Sequence, residues 1–387
     1  MPEAVIVDAI RTPIGRAFKG SMAGLRPDDT AACVVDQLLE RNPDVKPEEV
    51  EDLLCGCGMP QGLQAFNIGR IIVLLSERLP ESVNGVTISR YCASSLEAIR
   101  QAANSVVAGQ GGTYVAAGVE WVSRYNERSE PAGEADQSEN LQGRDGQPDA
   151  YISMGLTAEN VADRYEVSRA DMDKYAQRSQ ELAVASQESG YFDREIVPVK
   201  LPDGSEVAKD DGPRASSTLE KLSQLEPAFR EDGKVTAGNS CPLNDGAAAT
   251  LIMSAERARE LGLQPRARIV TAATFGNEPE YMGVAPIGAI KKVLERAGMT
   301  MGDVDVVELN EAFAAQVIPI MAECDIPLDK LNTHGGAIAL GHPFGMTGAR
   351  IMTTLLNAME TDDHQVGLET MCVAGGQGEA MIVERLG

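Results

Sequence analysis

Basic residues are the first shortage. The 387-residue chain sets 34 Lys and Arg against 58 Asp and Glu, and 34 − 58 leaves a formal net charge of −24. A nucleic-acid surface gathers Lys and Arg against phosphate, so this balance argues against a DNA or RNA partner. A phosphate-bearing small ligand would meet the same repulsion and needs a local basic pocket. Long apolar runs are also missing. The longest wholly aliphatic stretch, Ile71-Ile72-Val73-Leu74-Leu75, falls far below the ~20 residues of a bilayer-spanning helix, so no integral membrane segment is expected. Glu3 stands where a signal peptide would be basic, and Val5-Ile6-Val7 behind it reads as a strand. Seven cysteines, odd in number and scattered, make no disulfide framework and fit a reducing cytoplasm. Cys55 and Cys57 have no second pair at the spacing of structural zinc, so no metal is expected. No GxGxxG follows a strand and GxxxxGK[ST] is absent, which removes support for dinucleotide and P-loop nucleotide readings.

What remains is ordinary globular material, 43% hydrophobic and 24% charged. At roughly 150 residues per domain its length suggests two to three domain-sized units. Aliphatic strands are expected at 4–9, 53–57, 85–88, 113–118, 247–253, 304–309, 367–373 and 379–383. Helices are expected at 29–41, 94–108, 289–297, 312–323 and 348–359. Strands buried on both faces and separated by helices make an α/β layered fold. The polar stretches 123–150 and 200–217 bracket two amphipathic helices, Thr157–Tyr165 and one from Arg169 to about Ser189. Residues 121–235 therefore read as an insertion. A weak repeat also appears: the segments from Cys92 and from His342 each read as sharp turn, helix, short loop and buried strand. Two such halves face to face would bring Cys92 and His342 together, whereas two ordinary αβ units would not.

Few residues can carry chemistry. Cys92 follows the strand GVTI and precedes a helix with Leu96, Ile99, Ala102 and Val106 at helical spacing. Unpaired N–H groups and the helix dipole at such a start are expected to pull the thiol pKa below ~8.5 and favour a nucleophilic thiolate. A buried structural cysteine is the other reading. The histidines are three: His334, His342 and His364. Glycines on both sides and Pro343 hold His342 rigidly, which suits a general base or an oxyanion donor. Cys372 ends the strand LETMC before small residues that let backbone N–H groups approach a ligand. Asn310, in ELNEAFAAQ, either caps a helix or holds a water.

Together these blocks resemble the thiolase family over essentially the whole chain. They are VIVDAIRTPIG, SRYCASSLEAI, MGLTAENVA, VTAGNSCPLNDGAAA, ELNEAFAAQ, GGAIALGHPFGMTG and CVAGGQG, in family order. The resemblance implies a five-layered αβαβα fold of two βαβαβαββ halves, 1–260 and 261–387, with a loop domain inserted in the first. It implies an acyltransferase that binds no cofactor tightly and uses coenzyme A as co-substrate with 3-ketoacyl-CoA and acetyl-CoA. Cys92 would be the acylated nucleophile, His342 its base and oxyanion donor, and Cys372 the acid and base at the acetyl carbanion. Asn310 would hold a water in one oxyanion hole, and the backbone N–H groups of Cys92 and Ala374 would form the other. Ser153 and Ala374 lean toward the degradative 3-ketoacyl-CoA thiolases of β-oxidation over the biosynthetic acetoacetyl-CoA type. Met154, Phe313 and Cys241 match pantetheine contacts. Arg214 is either a cation at the nucleotide end of CoA or an exposed loop arginine. A homodimer or homotetramer is implied, with a β-oxidation multienzyme subunit as a further partner.

Overall fold

Strands of Val, Ile, Leu and Ala buried along their whole length need cover on both faces, and here helices supply it. The computed structural model describes residues 2–125, 136–144 and 146–387; parts of the polar stretch 123–150 thus lie outside the described residues. The first half runs β1 (Ala4–Arg11), α1 (Pro27–Arg41), β2 (Asp52–Cys57), α2 (Ile68–Leu75), β3 (Asn84–Ile88), α3 (Ser94–Val107), β4 (Thr113–Trp121) and β5 (Asn244–Ser254). Between β4 and β5 come α4 (Met154–Arg164) and α5 (Arg169–Glu188). The second half repeats the order with β6 (Ala267–Gly276), α6 (Ala285–Ala297), β7 (Val306–Leu309), α7 (Ala314–Glu323), α8 (Thr347–Thr361), β8 (Val366–Val373) and β9 (Gln377–Arg385). Its third strand shrinks to one parallel bridge, Val307 to Leu331.

The strands lie in the order β7–β8–β9–β6–β1–β5–β4–β2–β3. Counted outward from the β1–β6 contact, both halves use their strands in the same sequence, so the weak repeat in the sequence is a repeat in topology. The five-layered fold that the resemblance implies has two β layers, one from each half. Here their edges meet antiparallel at Val5–Arg268 and Ile6–Ala267, and the ladder runs through. That contact gives two open edges a partner for some of their backbone groups.

Three apolar clusters define the layers. Val35, Leu38 and Ile72 of α1 and α2 cover Val5, Leu53 and Val115 on one outer face. Ile290, Val293, Val317 and Ile320 of α6 and α7 cover Val307, Leu368 and Ile382 on the other. Between the halves, Leu96, Ile99 and Val106 of α3 meet Ile351, Met352 and Leu355 of α8, with Ile6, Ile252, Met371 and Met381 beneath them. Every residue of α8 from Thr347 to Met359 is buried, as a helix enclosed on all sides requires. Two of the elements named above have no counterpart among the expected ones. Helix α2 contains the aliphatic run at 71–75, too short to span a membrane and here covering one face of the sheet. Strand β6 is mostly half-buried and interrupts its apolar residues with Arg268, Thr271 and Thr274, so its pattern is weak. Among the described residues no helix is long and apolar enough to cross a membrane.

Candidate active site

After β3 the chain must reverse into α3 within a few residues. Tyr91 makes the bend at φ +42°, a left-handed conformation that non-glycine residues seldom hold unless their surroundings enforce it. Ser94 locks the bend: its hydroxyl accepts from Arg90 N at 2.9 Å and donates to Tyr91 O at 2.6 Å. Cys92 lies inside this 3-10 turn, half-buried. The turn packs against residues 344–346, just past His342, and against β8, which carries Cys372. Past Cys372 the hairpin reverses through Gly375 and Gly376, at φ 77° and 78°. Ala374 stays outside the left-handed region, and its backbone hydrogen bond reaches the Cys92 thiol.

His342 is held from three sides. Its backbone N–H donates to Asn244 Oδ1 at 3.0 Å, and Asn244 Nδ2 donates to Gly15 O at 3.0 Å. Thr347 Oγ1 donates to Pro343 O at 2.7 Å and lies 2.6 Å from His342 Nδ1. A carbonyl only accepts, so the hydroxyl proton is committed to Pro343 and the short contact is Nδ1–H donating to Oγ1. Nε2 then carries the lone pair and receives Asn310 Nδ2 at 3.3 Å. Burial, reinforced by the Arg350 charge, lowers the imidazole to about 3. The ring is neutral, with its basic nitrogen on the Asn310 side.

The thiols go the other way. Burial pushes Cys372 up to about 11, against the lowering effect of a hydrogen bond from Gln316. Burial also pushes Cys92 well up, with Cys372, Cys241 and Glu120 adding and Ala374 opposing. This reverses the expectation that the start of α3 would depress the Cys92 pKa. The residue sits on the turn before the helix, and loss of water beside two other sulfurs and a carboxylate outweighs the dipole. At rest Cys92 is a thiol, so a nucleophilic role for it would require a base.

Family models cover nearly the whole chain: the thiolase N-terminal domain matches residues 4–256 and the thiolase C-terminal domain residues 263–385. A beta-ketoadipyl-CoA thiolase of Pseudomonas putida is 43% identical over 403 residues, spanning 100% of both chains. A 3-ketoacyl-CoA thiolase of Cronobacter sakazakii is also 43% identical, over 397 residues and 100% of both chains. The crystal structure of the dimeric peroxisomal thiolase of Saccharomyces cerevisiae superposes with a TM-score of 0.93 at 38% identity, covering 99% of this chain and 97% of that one. The chain belongs to the thiolase family. It is accordingly an enzyme of the acyltransferase type with coenzyme A as a substrate.

The remaining sequence candidates divide around this group of residues. Met154, Cys241 and Phe313 share one apolar cluster with Cys372. Cys241 N donates to Ala312 O at 2.9 Å, and the Phe313 ring meets Phe229 edge-on at 6.0 Å. Arg214 stands apart: its N–H donates to Gln180 Oε1 at 2.8 Å, and its guanidinium neighbours the Arg16 charge. His334 stacks on Tyr191 at 3.6 Å and lies 3.5 Å from Asp362, outside the group.

Four side chains at the site escaped the sequence reading: Asn244, Thr347, Gln316 and Glu120. Glu120 is buried in β4 and only accepts, from Gly58 N and Gly345 N at 2.7 Å each, from Met59 N at 3.3 Å, and from the Gln64 amide. It thereby ties the turn beyond His342 to the loop beyond β2. A lone acid in the otherwise apolar strand TYVAAGVEW was the available signal.

Proposed function

We propose that the chain catalyses the thiolytic cleavage of 3-ketoacyl-CoA by coenzyme A, in the degradative direction of fatty acid β-oxidation. The reading rests on one observation: the turn carrying Cys92 of the first half packs against the turn just past His342 and the strand carrying Cys372, both of the second half. His342 Nε2 takes the Cys92 proton as Cys92 Sγ attacks the 3-keto carbon. The imidazolium N–H so formed then donates to an oxyanion. Ala374 N–H, already bonded to the Cys92 sulfur, and Cys92 N–H serve the tetrahedral centre on the acylated sulfur. The carbon–carbon bond breaks, its electron pair goes to the acetyl-CoA carbon, and Cys372 Sγ–H supplies the proton there. Coenzyme A next gives its thiol proton to Cys372 and its sulfur to the acyl group, and the departing Cys92 sulfur takes its proton back from His342, restoring both. Asn310, on the Nε2 side of the ring, holds the water of the imidazole oxyanion hole. Met154, Cys241 and Phe313 line the pantetheine arm, and Arg214 with Arg16 answers the CoA phosphates.

The test is CoA-dependent loss of 3-ketoacyl-CoA enolate absorbance over C4 to C16 chains, with 3-ketoadipyl-CoA alongside. Turnover of the unsubstituted chains is expected. Turnover of 3-ketoadipyl-CoA alone would overturn the fatty-acyl assignment, and no turnover of any substrate would overturn thiolysis.

Self-association belongs to the same proposal. β3 is the terminal strand of the sheet, with Val86 exposed on it and Phe66, Leu74, Leu75 and Tyr91 exposed on neighbouring segments. An open apolar edge of this kind favours pairing with a second copy. Sedimentation equilibrium is expected to give a dimer or tetramer. A cytoplasmic setting fits seven free thiols, two of them in the chemistry.

A further inference from the structure

Gln316 lies near the start of α7 and is fully buried, yet its carboxamide is not spent on its own helix. Nε2 is 3.1 Å from Cys372 Sγ and 3.3 Å from Asn310 O; Oε1 is 3.4 Å from the same sulfur. The Asn310 carbonyl accepts only, so the nitrogen end of the amide must face it. One amide hydrogen is thus committed to Asn310 and the other to the sulfur, while Oε1 is left to accept Sγ–H. On the far side Gly283 closes the space: a Cβ there would stand 3.0 Å from Gln316 Cβ. The rotamer is boxed in, and every polar atom of the amide has a use.

We propose that Gln316 is a positioning residue for the acid/base step: its carboxamide aims the Cys372 proton and then holds the Cys372 thiolate. The inference rests on the acid/base assignment of Cys372 made above. With the proton on sulfur, Sγ–H donates to Oε1. When the carbon–carbon bond breaks, that proton passes to the acetyl carbon and the S–H electron pair stays on sulfur. The N–H···S contact then becomes charge-assisted, the stronger kind. Return of a proton from the incoming CoA thiol restores the first arrangement. One amide therefore serves both protonation states without moving, and it opposes the burial that otherwise drives the thiol pKa upward. Because Gln316 also grips Asn310 O, and Asn310 Nδ2 reaches His342, the sulfur and the imidazole are registered through one residue pair.

The experiment follows exchange of the acetyl-CoA methyl protons in D2O by NMR, beside acylation of Cys92 by a simple thioester, in wild type, Q316L, Q316E and C372A. A hydrogen bond to a charged group is worth enough for exchange to fall about tenfold to a hundredfold in Q316L, well beyond any fall in acylation. The pH midpoint for alkylation of Cys372 should rise in Q316L and rise further in Q316E, where a carboxylate replaces the donor. A merely structural glutamine would lower stability and move neither the ratio nor the midpoint. Wild-type exchange and an unshifted midpoint in Q316L would overturn the inference. If Q316L fails to fold, as judged by melting, Q316E carries the same comparison, and an unshifted midpoint there is equally fatal. Exchange persisting in C372A would instead remove the role of Cys372 itself.

Discussion

A protonated thiol, a neutral imidazole and a second protonated thiol make up the resting site, and each state has a physical cause. Burial disfavours every charged form, so it raises both sulfurs and lowers the histidine. In the proposed mechanism a proton passing from Cys92 to His342 creates charge only when substrate is there to use it. Cys92→Ser should abolish the acyl-enzyme, because a serine hydroxyl stays un-ionised and is a far weaker nucleophile. Mass spectrometry after incubation with a short acyl-CoA reads this directly, and acylation of the Cys92→Ser variant at the wild-type rate would count against it. The Cys372 pKa near 11 predicts a pH trend. In a Cys92→Ala background, alkylation of Cys372 should climb by about tenfold per pH unit up to that value, following the thiolate fraction. A plateau below pH 9 would show that burial does not govern this sulfur. His342, lowered to about 3, should put no break of its own into the activity profile between pH 5 and 7.

At the scale of elements, the site depends on how closely α3 and α8 approach. A Cβ on Gly348, in the first turn of α8, would overlap Leu96 N, and one on Gly56 would overlap Ser95 N. Ser95 Oγ also accepts from Ala349 N at 2.9 Å, which pins the two helix starts together. Each helix begins just behind its reactive residue, so this contact sets the distance between Cys92 and His342. Gly348→Ala should cost about 1–3 kcal/mol of stability, since backbone and not a flexible side-chain tip is in the way. It should also lower kcat more than it raises KM, because misplaced reacting groups hurt the transition state most. Urea unfolding and steady-state thiolysis test the two halves of this expectation; an unchanged kcat would detach the helix contact from catalysis.

For the whole molecule, the seam between the halves contains charge. Arg350 of α8 sits among Glu308 of β7, Glu369 of β8 and Glu195, all buried. Glu308 and Glu369 are direct partners on neighbouring parallel strands. Burial raises Glu308 to about 8, with the Arg350 charge opposing, and raises Glu369 well above its ordinary value. A carboxyl raised on folding keeps its proton longer than it would in the unfolded chain. Its contribution is fully present below the unfolded value of 4.5 and is lost as pH climbs through about 8. Stability should therefore decline from pH 5 to 8.5, and Glu308→Gln, uncharged and of the same shape, should flatten part of that decline. Parallel urea curves for wild type and variant across the range would contradict the buried-acid account.

The alternation of strands and helices and the repeat were legible in the order of residues alone, and so were Cys92, His342 and Cys372 as the residues on which the proposed chemistry rests. Buried strands demand unbroken aliphatic runs, and a reactive residue held at a bend demands small or rigid neighbours; both leave local marks. Strand β6 left no such mark, because half-burial tolerates Arg and Thr among its apolar positions. Protonation states needed the folded chain, since they depend on desolvation and on groups far away in sequence. The expected acidity of Cys92 was reversed for that reason. Folding also revealed Asn244, Thr347, Gln316 and Glu120, whose partners lie on other segments or turn on hydrogen-bond direction, a relation that spacing along one segment does not encode.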